Sequence, residues 1–119
     1  MKNFCRLTVG TLLSVVCISV FAHASLQSSS PKANEVVQIA PTAIVLRFNE
    51  ALETPFSRIT LINLKSGAIK TTKATVDSAH PQTLRLATPS LGAGSYQVQW
   101  STVTQDGHRA KGQFGFRVK

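Results

Sequence analysis

At 119 residues the chain is long enough for one domain with one core and too short for two. Its formal charge of +8 comes from 13 Lys and Arg against 5 Asp and Glu. The basic residues are scattered singly (Lys32, Arg47, Arg58, Lys65, Lys70, Lys73, Arg85), which reads as a solvated basic face and argues against nucleic-acid recognition.

The chain opens with Lys2 and Arg6 ahead of an apolar run over residues 7–22 that ends in small residues, the layout of a secretory signal peptide. The run falls short of the roughly 20 residues needed to span a bilayer, and the polar stretch SLQSSSPKANE follows, so no stable membrane insertion is expected. Val16 ahead of Cys17 does not suit a lipid-modified cysteine. Cleavage after Ala22 leaves a single domain, residues 23–119, that begins at His23 and carries a charge of +6. Cleavage after Ala24 is the other reading, and it discards His23. Both cysteines, Cys5 and Cys17, fall in the removed segment, so the exported chain has neither a disulfide nor a thiolate ligand. The mature chain is therefore expected to be exported.

Residues 23–31 form a candidate first strand ending at Pro31. Apolar side chains then recur at every second position: Ile44, Leu46 and Phe48; Ile59 and Leu61; Leu84 and Leu86; Tyr96, Val98 and Trp100; Phe114, Phe116 and Val118. A period of two marks strands with one buried and one wet face. Turn signals separate them at Ser30-Pro31, Ala40-Pro41, Thr54-Pro55, Ser66-Gly67, His80-Pro81, Gly92-Ala93-Gly94 and Asp106-Gly107. The expected fold is all-β, an antiparallel sandwich of about seven strands with Phe48, Trp100, Phe114 and Phe116 as core bulk. In such a sandwich the first and last strands lie near one another, which would carry the N-terminus toward a loop at one end. Residues 65–76 read as a polar hairpin.

The stretch TQDGHRAKG, residues 104–112, places Asp106 and His108 on either side of Gly107. Two readings stand side by side. Asp-Gly is a hairpin turn with His108 an exposed neighbour, or the glycine bends the loop so that both side chains form a metal corner. An N-terminal His23 strengthens the second reading, because its free amine and ring nitrogen can chelate one ion together. With His108 and Asp106 the donors are three nitrogens and one oxygen, a set suited to Cu(II) in tetragonal geometry. Zinc would prefer a tetrahedral site richer in His or Cys. Glu50 ends a strand, where it can supply an outer-sphere or weak axial oxygen or stand as a surface carboxylate near Arg47. His80 reads as a loop histidine.

These residues resemble the CopC family of exported copper-binding proteins, and within it the YobA-type, Cu(II)-only members. The resemblance runs through His23; Ser29-Ser30-Pro31; Phe48-Asn49-Glu50; Leu91, Gly94, Tyr96, Val98 and Trp100; and Thr104 with Asp106-Gly107-His108 and Gly112. It implies an Ig-like Greek-key sandwich holding one Cu(II) ion per chain at His23, Asp106 and His108, with Glu50 as a further candidate. It also implies a monomeric, non-enzymatic carrier or buffer in copper homeostasis and resistance, with an inner-membrane copper permease (CopD-like) as partner. Two-site relatives bind Cu(I) through a methionine-rich loop, but the single methionine here is Met1, so thioether coordination is not expected. Thr104 stands where many relatives have serine. Two other functions remain consistent with the residues alone. His23 and His108 also resemble the histidine brace of copper oxidases, although a coordinating Asp106 would fill the position that oxygen chemistry needs open. Loss of His23 with the signal peptide would leave a metal-free Ig-like interaction module.

Overall fold

The computed structural model describes residues 24–119, and His23, like the signal segment, lies outside the described residues. The alternating stretches become strands, in two sheets. One has four strands: β1 (Leu26–Ser30), β3 (Ala43–Phe48), β7 (Thr83–Ala87) and β6 (Thr75–Val76), in the order β1-β3-β7-β6. The other has five: β2 (Val36–Val37), β9 (Arg109–Val118), β8 (Gly94–Val103), β4 (Arg58–Asn63) and β5 (Gly67–Ala68), in the order β2-β9-β8-β4-β5. Neighbours in each sheet are mostly distant in sequence, so the chain repeatedly crosses between layers, and the result is an all-β sandwich. Among the described residues the single helical element is a short 3-10 turn, Thr54–Phe56, and no helix is long and apolar enough to cross a membrane.

The inward side of each strand supplies the core. Ile44, Leu46 and Phe48 of β3 face Leu84 and Leu86 of β7 within one sheet, and Ile59, Leu61, Val98, Phe116 and Val118 cover them from the other. Full burial of an aliphatic or aromatic side chain contributes about 1.5–3 kcal/mol, so this cluster dominates the stability of a domain of this size. Phe48 and Phe116 are buried as expected, whereas Trp100 and Phe114 are only partly buried and pack against the cluster's flank. Trp100 meets Phe48 edge-on with ring centroids 5.0 Å apart, and a Cβ on Gly112 would stand 2.5 Å from its indole. Glycine at this register position is therefore what lets the indole lie across β9. Tyr96 stacks on Phe116 and donates its hydroxyl to the Gly92 carbonyl at 2.7 Å, the tyrosine-corner arrangement of β-sandwiches.

Three features differ from the expectation. The extra strands β2, β5 and β6 are two-residue pieces, too short to show alternation. β2 runs parallel to β9, because the turn through Asn34, whose N–H donates to the Gly115 carbonyl, brings the chain in from the other sheet. Residues 65–76 are not one hairpin: β5 pairs with β4, and the chain then crosses to pair β6 with β7, since Ile69 and Ala74 pack on the core.

Candidate metal centre

The β8–β9 connection, residues 104–108, is a hairpin loop. The Thr104 carbonyl accepts the Gly107 N–H at 2.9 Å, the Thr104 N–H donates to the His108 carbonyl at 2.9 Å, and Gly107 adopts φ +81°. Only glycine takes that left-handed conformation without steric cost. The turn reading of Asp-Gly is thus correct, and the same turn performs the bend required by the metal reading. It brings Asp106 and His108 together, and Glu50 joins them: one candidate ligand atom from each of the three lies within 4.8 Å of the others.

Glu50 arrives from the segment after β3, which runs beside the hairpin loop. Glu53 N–H donates to the Val103 carbonyl at 2.8 Å, Leu52 bridges Thr104, and Gln105 N–H donates to the Ala51 carbonyl at 3.0 Å. This lacing fixes the Glu50 carboxylate 3.0 Å from His108 Nδ1. Glu50 is therefore paired with His108 and not with Arg47, which points outward from β3. Thr104, buried at 1% exposure, ties both partners together. Its hydroxyl accepts the His108 backbone N–H at 3.0 Å and bonds the Glu50 carboxylate, to which it must donate because a carboxylate only accepts. The His108 ring hydrogen bond holds the Glu50 carboxyl below its ordinary value; partial desolvation opposes this, while Thr104 and the charge on His108 add to it. His80 lies elsewhere, exposed in the β6–β7 turn with Nδ1 3.4 Å from Asp77, and outside the cluster.

β1 pairs with β3, while β9 lies in the other sheet, so the first and last strands are not hydrogen-bonded neighbours. Asn49 makes the connection instead. Its side-chain oxygen accepts the Ser25 N–H at 2.7 Å, and its own N–H donates to the Ser25 carbonyl at 3.2 Å. Residue 25 is thereby clamped beside the residue preceding Glu50. Position 23 lies two residues further back, a reach of about 7 Å. Sequence reasoning assigned no role to Asn49 or Thr104, although both lie in motifs it singled out. Their signal, a short polar side chain at the first position past a strand, is too common to be distinctive alone.

The CopC domain family model matches residues 26–119. The protein YobA of Escherichia coli K12 is 41% identical over 107 residues, covering 89% of this chain and 86% of YobA. Among solved structures, CopC from Methylosinus trichosporium OB3b superposes with a TM-score of 0.77 at 30% identity, over 82% of this chain and 94% of that one. PcoC of Escherichia coli, described as a methionine-rich copper resistance protein, gives a TM-score of 0.69 at 33% identity, over 82% of this chain and all of its own. With a family match across nearly the whole described region and solved relatives of the same sandwich, the chain belongs to the CopC family.

Proposed function

We propose that this protein is an exported Cu(II)-binding protein of copper homeostasis and resistance. Removal of residues 1–22 frees His23, whose amine and imidazole join His108 and Asp106 around one copper ion per chain. The observation that carries the reading is the Ser25–Asn49 clamp, which tethers the N-terminal end next to the Glu50–His108 pair. An oxygen and nitrogen donor set without sulfur fits Cu(II), and residues 24–119 contain neither cysteine nor methionine, which favours the cupric over the cuprous ion and distinguishes the chain from its methionine-rich relative. Glu50 engages His108 Nδ1 and so leaves Nε2 as the ring nitrogen open to metal; its role is to orient the ligand.

Membership in the family supports a copper resistance protein, and the proposal extends this to a monomeric periplasmic carrier or buffer that passes copper to an inner-membrane permease of the CopD kind. The proximity of Asp106 to His108 weighs against oxidase chemistry, because it fills a coordination position. One equivalent of Cu(II) added to the exported protein should give a tetragonal type-2 electron paramagnetic resonance spectrum with nitrogen couplings. His108→Ala should lose one nitrogen coupling, and Asp106→Ala should shift the spectrum. Unchanged spectra in both variants would refute the ligand set.

A further inference from the structure

The outward face of the five-stranded sheet is cationic and carries none of the three cluster residues. The register aligns Arg58, Ser101 and Lys111 in one row across β4, β8 and β9, and Thr60, Gln99 and Gln113 in the next. Strands about 4.8 Å apart set the Arg58 and Lys111 backbones about 10 Å from each other. Arg58, Ser101 and Lys111, with Thr60, Trp100 and Gly112, line a groove of about 510 Å³. No outward position of β4, β8 or β9 is acidic. Both ion pairs among the described residues join a carboxylate to a histidine, so no carboxylate neutralises Arg58, Lys111 or Arg117.

At the far end of the same face, Arg117 stands beside Val36 in the register, with Leu64 one strand beyond it across Ser95. Val36 is 53% and Leu64 62% exposed, high for aliphatic side chains. Glu35 borders this end, but its carboxylate turns back to accept the Lys32 N–H at 2.7 Å.

We propose that this face docks on an anionic phospholipid surface. The groove takes a headgroup phosphate between Arg58 and Lys111, while Val36 and Leu64 enter the headgroup boundary around Arg117. An acidic protein would need carboxylates matched to cations spread over three strands, whereas lipid phosphates rearrange to meet them. Aliphatic side chains flanking a guanidinium are also the composition of an interfacial surface. The hairpin loop with Asp106 and His108 begins two register positions beyond the Ser101–Lys111 pair, so it borders the docking face at the end of the sandwich.

The test is co-sedimentation of the exported protein with vesicles of phosphatidylcholine alone or with about one-third phosphatidylglycerol. Binding is expected only to the anionic vesicles, and it should weaken as salt is raised. The Arg58→Gln, Lys111→Gln double variant should lose about 25-fold in partitioning, roughly fivefold per cation. A control with the same net charge, Lys70→Gln with Lys73→Gln, should lose much less, and Arg58→Lys should keep most of the binding. Copper titration of each variant serves as a fold check and separates failure of this proposal from failure of the metal reading. Absence of binding to anionic vesicles overturns the proposal, as does an equal loss in the control pair or binding of free inorganic phosphate without vesicle binding.

Discussion

The Glu50 carboxylate lies 3.0 Å from His108 Nδ1, where as a pure acceptor it favours N–H on that nitrogen, and the Thr104 hydroxyl braces the pair by bonding the Glu50 carboxylate and the His108 backbone N–H. Glu50→Gln keeps the size but removes the charge that favours N–H on Nδ1, so copper affinity should fall about 10- to 100-fold in a chelator competition, with little change in fold. Affinity within a factor of two of the parent would show that Glu50 is a bystander. The same carboxylate couples stability to pH. Glu50 has a folded-state value below its ordinary 4.5, and Asp77 one below its ordinary 3.8, the latter chiefly because its side chain accepts the Ala79 N–H. A lowered carboxyl contributes stability that is present above its unfolded value and disappears as pH falls through the folded one. Urea midpoints of the metal-free protein should therefore hold from pH 7 to about 5 and decline below about 4.5, and Glu50→Gln combined with Asp77→Asn should flatten that decline. An unaltered slope in the double variant would remove both groups from the account.

At the level of elements, β8 and β9 matter most, because one hairpin both closes the sandwich and presents Asp106 and His108 side by side. Trp100 crosses Gly112 within this pair, so Gly112→Ala must push the indole off Phe48. We expect a loss of about 1–3 kcal/mol in urea unfolding together with a shift in the tryptophan emission. A neutral substitution would mean that the indole has room to move. The same pair illustrates how far sequence alone could reach. Alternation identified five of the six strands of five residues or more, since each of those has one dry and one wet face, whereas β1 has no such alternation and was read from the stretch that ends at Pro31. Asp106 and His108 were legible because a single local turn joins them. The Glu50–His108 contact spans 58 residues and depends on lacing between backbone groups of any residue type, so no local pattern announces it. The two-residue strands and the crossing within residues 65–76 escaped for a related reason: each is fixed by what lies across from it.

For the whole molecule, the fold acts as a frame that brings the start of the described chain beside the segment laced to the β8–β9 loop. The Asn49 clamp holds that start in place, and the proposed copper ion would join it to the loop through the amine that only cleavage can release. That amine is the central claim. It is tested most directly by competing the form that begins at His23, and a form with one extra residue ahead of His23, against the same Cu(II) chelator. The account predicts one tightly held ion in the first and an affinity lower by at least about 100-fold in the second, since the extra residue converts the amine to an amide and breaks the chelate. Equal affinities would contradict it.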